Sequence, residues 1–134
     1  MQGRRILVVD DHATICTIVG RFIANEGGEV VAVQDGHEGL HAALNGRFDL
    51  VIADVEMPNV GGLEMTRCLR HVVKTHAMPI IIISAQDSEK DRDNALEAGA
   101  NRFIAKPFTK DELLGAVREL LDETSAAETS GETT

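Results

Sequence analysis

Five short runs of uninterrupted apolar residues recur along this chain at near-regular intervals: Ile6 to Val9, Val30 to Val33, Leu50 to Ala53, Ile80 to Ile83 and Phe103 to Ala105. Alternation of apolar and polar residues would mark strands with one wet face. Runs without alternation mark strands covered on both faces, the condition of a parallel sheet enclosed by helices. Helical patterns fill the intervals. Ile15, Ile18, Val19, Phe22 and Ile23 fall on one helical stripe, closed by Gly27 and Gly28. Leu40, Ala43 and Leu44 mark a shorter helix ending at Gly46, and Leu63, Thr66, Leu69, Arg70 and Val73 line a third that stops before Pro79. Residues 88–98 form a charged fourth helix closed by Gly99. Leu113, Ala116, Val117, Leu120 and Leu121 form a fifth, capped by Thr109 or Asp111. Five strand–helix units in alternation predict an α/β fold, a parallel sheet with helices on both faces.

A chain of 134 residues suits one domain, and a hydrophobic content of 43% excludes disorder throughout. The domain is expected over residues 1–122, with 123–134 a disordered acidic tail or the start of a linker. The formal net charge is −9, which argues against direct nucleic-acid binding, since that needs a basic face. Cys16 and Cys68 have no metal or redox spacing and read as reduced thiols. No apolar run is long enough to cross a bilayer, and no signal-peptide pattern precedes the first charges. The chain therefore reads as cytoplasmic, with no membrane partner.

In an open parallel sheet, ligands bind beyond the carboxyl ends of the strands. Strand one ends in Asp10 and Asp11, strand three in Asp54, strand four in Ser84 and strand five in Lys106 before Pro107. In the order 2-1-3-4-5 these four ends are neighbours. Three carboxylates at close range repel unless a cation sits among them, and hard oxygen donors favour Mg²⁺. A hydroxyl and an ammonium opposite suit phosphoryl oxygens. Singly, each residue has a plainer reading: Asp10 or Asp11 as a helix cap, Asp54 in an Asx turn, Ser84 leading into a helix, Lys106 as a solvated charge, Phe103 as a core aromatic. The five histidines (12, 37, 41, 71 and 76) show no metal-ligand pattern and are assigned to the surface.

The stretches ILVVDDH, LVIADVEMPNVGGLE, IIIISAQD and FIAKPF, over about residues 4–122, resemble the CheY-like receiver domain of two-component response regulators. The resemblance implies a flavodoxin-like doubly wound (βα)5 fold; the strand order 2-1-3-4-5 is taken from the family rather than derived from spacing. It implies a signalling switch in a phosphorelay rather than a turnover enzyme, though one that promotes its own phosphorylation and dephosphorylation. Asp54 would accept a phosphoryl group from a sensor histidine kinase or phosphotransfer protein. Asp11 and Asp54 would hold Mg²⁺ with the backbone carbonyl of Glu56, and Asp10 would act through a water. Lys106 would pair with Asp54 and then with the phosphoryl group. Ser84 and Phe103 would be the switch residues, a cis bond would join Lys106 and Pro107, and the face of helix four, strand five and helix five would meet a downstream protein target or a second copy. Gly61 stands where the family often has Asp or Asn, and Glu56 and Gln86 occupy positions that tune phosphoryl lifetime. A haloacid-dehalogenase-like phosphatase would need DxDxT, which Asp10-Asp11-His12-Ala13-Thr14 breaks. No GxxxxGK[ST] loop follows strand one. The remaining alternative is a pseudo-receiver that binds partners without phosphorylation. Whether the chain stands alone or is cut from a longer protein is left open.

Overall fold

The computed structural model describes the backbone of residues 1–132 and the side chains of residues 1–123. Its elements run β1 (Arg5–Val9), α1 (Ala13–Asn25), β2 (Glu29–Val33), α2 (Gly36–Asn45), β3 (Leu50–Asp54), α3 (Gly62–Arg70), β4 (Ile80–Ser84), α4 (Glu89–Ala98), β5 (Arg102–Ala105) and α5 (Lys110–Glu132). The strands form one sheet in the order β2-β1-β3-β4-β5, and every neighbouring pair is parallel. The fold is the expected doubly wound one. The boundary expected after residue 122 falls inside α5, and the part of the tail at Thr133 and Thr134 lies outside the described residues.

The continuous runs have a simple cause. Successive side chains of a strand point to opposite faces. Ile6, Val8, Leu50, Ile52, Ile81 and Ile83 pack against Cys16, Val19 and Ile23 of α1 and Leu113, Leu114 and Val117 of α5. Their neighbours Leu7, Val9, Val51, Ala53, Ile80 and Ile82 pack on the other face against Ala43, Met65, Leu69 and Ala95. All twelve strand residues are fully buried. At roughly 1.5–3 kcal/mol per large side chain, β1, β3 and β4 are the main source of hydrophobic stabilisation. The edge strands differ from the expectation of burial on both faces: β2 and β5 are largely half-exposed, because each has a neighbour on one side only.

The helices show where periodicity misleads. Ile18 is 38% exposed, so the core stripe of α1 is Cys16, Val19 and Ile23, with Ile15 and Phe22 at its margin. The third helix stops at Arg70, and Val73, expected on its apolar line, is 87% exposed beyond it. Just at the stop, the Arg70 guanidinium donates to the carbonyls of His76 at 3.1 Å, Met78 at 2.7 Å and Gly99 at 2.9 Å, and to Asn101 Oδ1 at 2.9 Å. The following chain is thereby gathered into turns. Ser88 and Asp91 close a capping box at the start of α4, which ends at Gly99 with φ 115°. Leu96 of α4 is 52% exposed rather than in the core, leaving only Ala95 and Ala98 buried on that helix. Of the two caps proposed for α5, Thr109 serves, its Oγ1 accepting from Glu112 N–H at 3.1 Å.

Gly62, the first residue of α3, packs against the strand end that carries Asp54. A Cβ there would lie 2.1 Å from the Asp54 carbonyl oxygen. Gly115 of α5 has nothing within 4 Å of an added Cβ. Denaturant unfolding of the two alanine variants should therefore diverge. Gly62→Ala should lose about 2 kcal/mol through forced backbone displacement. Gly115→Ala should gain about 0.5–1 kcal/mol from helix propensity and reduced unfolded-state entropy.

Candidate functional site

The parallel register delivers the strand ends to one edge. Val9 of β1 pairs with Ala53 of β3, so Asp10 and Asp54 emerge together; Asp54 pairs with Ile83 of β4, and Ser84 pairs with Ala105 of β5, one residue before Lys106. Asp10 is completely buried, Asp54 is 4% exposed and Ser84 is 2% exposed, while Asp11 lies at the mouth of the cleft. The cleft has a volume of about 410 Å³ and is lined by Asp11, His12, Asp54, Glu56, Met57, Pro58, Ser84, Ala85, Gln86 and Lys106. Asp10 lies beneath it.

Lys106 Nζ donates to Asp10 Oδ2 and to Asp54 Oδ2, both at 3.1 Å. One ammonium thus serves two buried carboxylates. Burial, the largest influence on Asp54, pushes its carboxyl above the ordinary value; the hydrogen bond from Lys106 pulls it down, and the charge of Asp10 pushes it up again. Burial alone would lower the Lys106 ammonium, but its hydrogen bonds to Asp54 and Asp10 outweigh that, so it is held above its usual range. The directions agree once the stoichiometry is counted: the cation gains from two anions, whereas each anion has only a share of one cation.

Neither Asp10 nor Asp11 is the N-cap of α1; His12 is, without a side-chain cap bond. Asp10 Oδ1 instead accepts the backbone N–H of His12 at 2.9 Å, an Asx-type turn. This turn brings the His12 ring back over the acids, with Nδ1 2.9 Å from Asp10 Oδ1, 3.2 Å from Asp11 Oδ1 and 3.7 Å from Asp54 Oδ2. The hydrogen bond to Asp10, then the charges of Asp10 and Asp11, raise the His12 pKa. His12 is on the surface as assigned, yet it belongs to the cluster, which the sequence alone did not reveal. The only available signal was its place two residues after Asp10.

Ser84 Oγ accepts from Gln86 N–H at 3.0 Å, which fixes the oxygen at the cleft wall and leaves its own hydrogen to donate. Phe103 is half-buried at the cluster on the α2–α4 face, and the Arg92 guanidinium of α4 sits 5.1 Å from its ring centroid. Gly61 is the N-cap of α3 at φ −75°, with no side chain to cap it. The Lys106–Pro107 bond is cis, as the resemblance implied.

Asp10, Asp11, His12 and Asp54 each present a ligand atom, and all four atoms lie within 4.8 Å of one another. Two carboxylates lining a cleft, with a third beneath them, are a hard-oxygen donor set of the kind that Mg²⁺ takes. The residues present therefore fit that ion.

Parallel (βα)5 architecture with this edge of acids and one lysine defines a receiver-type α/β domain. The family model for the response regulator receiver domain matches residues 6–118, and the chain belongs to that family. It is 41% identical over 124 residues to the response regulator MprA of Mycobacterium sp. (strain KMS), a match that covers 92% of this chain and 53% of that protein. The chain thus spans about half the length of the curated relatives it matches. Among solved structures, a CheY-like receiver domain protein from Methanospirillum hungatei JF-1 superposes with a TM-score of 0.86 at 30% identity, covering 92% of this chain and 98% of that one. The receiver domain of a sensor histidine kinase from Pseudomonas aeruginosa PAO1, with a magnesium ion coordinated in its active site cleft, gives 0.83 at 31% identity, covering 90% and 98%. Among the described residues, no helix is long and apolar enough to cross a membrane.

The shared lysine yields a pair of opposite expectations. Asp54 binds a proton more tightly in the fold than in the unfolded chain, so its ionisation costs stability. That cost is absent below the unfolded carboxylate pKa of about 3.9 and is complete above the raised folded value. In metal-free buffer, Asp54→Asn should therefore melt higher than the parent at neutral pH, and the gap should close as pH falls toward 4. Lys106→Met should lose about 3 kcal/mol at neutral pH, because it strands two buried carboxylates. Adding Asp54→Asn to Lys106→Met should restore part of that loss. Thermal melts across pH read all three.

Proposed function

We propose that the chain is a phosphorylation-dependent signalling switch in which Asp54 accepts a phosphoryl group from a phosphohistidine of a sensor histidine kinase or phosphotransfer protein. The observation that carries this reading is Lys106 Nζ held 3.1 Å from both Asp10 and Asp54 at the floor of an acid-lined cleft. A carboxylate oxygen of Asp54 attacks phosphorus, an O–P bond forms, the donor's P–N bond breaks with its electron pair going to nitrogen, and the ring leaves as neutral imidazole, keeping the proton already on its other nitrogen. Lys106 orients the attacking carboxylate and afterwards pairs with a phosphoryl oxygen. Ser84, anchored through Gln86 N–H, donates its hydroxyl hydrogen to another. Asp10, Asp11, Asp54 and the Glu56 carbonyl would hold Mg²⁺, with Asp10 acting through a water. When bound, that ion supplies charge neutralisation to the phosphoryl oxygens. Glu56 and Gln86 line the cleft where they meet incoming water and so tune how long the acyl phosphate lasts.

Intact-mass spectrometry after incubation with acetyl phosphate and Mg²⁺ tests this. The parent should gain one phosphoryl group, and Asp54→Asn should gain none. Asp11→Ala should lose most of both the gain and the Mg²⁺-induced rise in melting temperature. An equal gain in the parent and Asp54→Asn would overturn the assignment.

The signal leaves through the face of α4, β5 and α5. Helix α4 buries only Ala95 and Ala98, so it is the most weakly held element beside the site. Phosphorylation draws Ser84 inward, Phe103 follows, and this face binds a downstream protein target or a second copy. With a beryllofluoride mimic on Asp54, amide hydrogen exchange should change across residues 84–108. Changes confined to α1 and α2 would refute the route.

A further inference from the structure

One group at the strand edge has no part in the phosphoryl transfer. The imidazole of His12 turns Nδ1 toward three carboxylate oxygens, at 2.9, 3.2 and 3.7 Å. Donor atoms bound to a small dication with bonds of about 2.1 Å lie about 3.0 Å apart at right angles and about 3.4 Å apart in a tetrahedron. The 3.2 Å to Asp11 Oδ1 falls within that span and the 3.7 Å to Asp54 Oδ2 exceeds it by a few tenths of an ångström, while the 2.9 Å contact with Asp10 Oδ1 is the hydrogen bond that steadies the ring. The ring is placed by the backbone, because Asp10 Oδ1 takes His12 N–H and folds the turn back on itself. Its side chain is 63% exposed and makes no helix-cap bond, so it can swing without disturbing the core.

The geometry points to His12 as a nitrogen ligand that biases this cation site toward imidazole-accepting transition dications, Ni²⁺ and Zn²⁺, and away from Mg²⁺. The inference rests on the reading of the acid cluster as a cation site. Mg²⁺ takes oxygen donors, keeps several waters and gains little from an imidazole. Ni²⁺ and Zn²⁺ bind imidazole well and stand above Mn²⁺ and Fe²⁺ in affinity for mixed nitrogen and oxygen donors. For them the ring stays, with its lone pair on Nδ1 and its proton on Nε2. For Mg²⁺ the ring occupies space that a water would fill, and it must move aside.

Calorimetric titration with Ni²⁺ and with Mg²⁺ tests this in a buffer basic enough to keep imidazole neutral. Every chain carries His41→Ala, which removes the His37 and His41 pair one turn apart on α2. His12→Ala and His12→Gln should each lose about tenfold or more in Ni²⁺ affinity while binding Mg²⁺ as well as before or better. Asp11→Ala should lose both metals. Zn²⁺ should shift the ¹⁵Nδ1 resonance of His12 in the otherwise unaltered chain. Equal losses for Ni²⁺ and Mg²⁺ in the His12 variants, no loss for either, or an unmoved resonance would overturn the assignment of His12 and leave the cation site standing. Failure of the parent chain to bind either metal would overturn both.

Discussion

Two carboxylates with almost no exposure to water share a single ammonium at the end of this sheet. Each carboxylate needs a counter-charge, and Lys106 can satisfy neither alone. The shortage is structural, since β1 and β3, which end in Asp10 and Asp54, are locked in register by fully buried residues. The acids cannot move apart without breaking β1 from β3. What can change is what enters the cleft, and a site short of positive charge favours any cation that fits it. The surrounding details follow from this tension. Asp10 recruits both the backbone and the ring of His12, Asp54 takes the N–H of Glu56, and every buried side-chain nitrogen and oxygen among the described residues has a partner.

The sheet and the site are one design. The same alternation that sends Ile6 and Val8 to one face and Leu7 and Val9 to the other ends on Asp10, at the level where the parallel ladder also ends. Helices α1 and α3 start just beyond these ends, and Gly62 is small enough to let α3 press against the Asp54 carbonyl. The loop over residues 55–61 is the longest of the strand-to-helix connections and folds back to bring α3 there; Asn59 takes a positive φ of 69° within it, a conformation asparagine tolerates better than most residues.

Most of this was legible from the sequence because the central strands are buried on both sides, and uninterrupted Ile and Val runs suit little besides a strand covered on both faces. The strand-end residues followed once the strands were placed. Three features were not legible. Val73 continues the helical period of α3, but the chain beyond Arg70 turns and is held by the Arg70 guanidinium through residues distant in sequence, and no local pattern reports that. Ile18 and Leu96 are apolar at plausible positions and still face outward, because periodicity gives an angle and not the neighbour that covers it. His12 joined the cluster through a turn made by the side chain of Asp10, so its position depends on a rotamer rather than on spacing.

The Arg70 guanidinium, at the opposite end of the sheet, sets how α4 can move. It binds the carbonyl of Gly99 at the foot of α4 and Asn101 Oδ1, which in turn accepts Ile80 N–H at the start of β4. The foot of α4 is therefore tied to the sheet by hydrogen bonds, whereas its head is closed by its own Ser88 and Asp91 and reaches the sheet through Arg92 over the Phe103 ring. A ten-residue helix is about 15 Å long. Hydrogen-bonded at its foot and held at its head by one ring contact, α4 has the form of a lever with its fulcrum at Gly99, so a small tilt there is magnified at the head, where Arg92 meets Phe103.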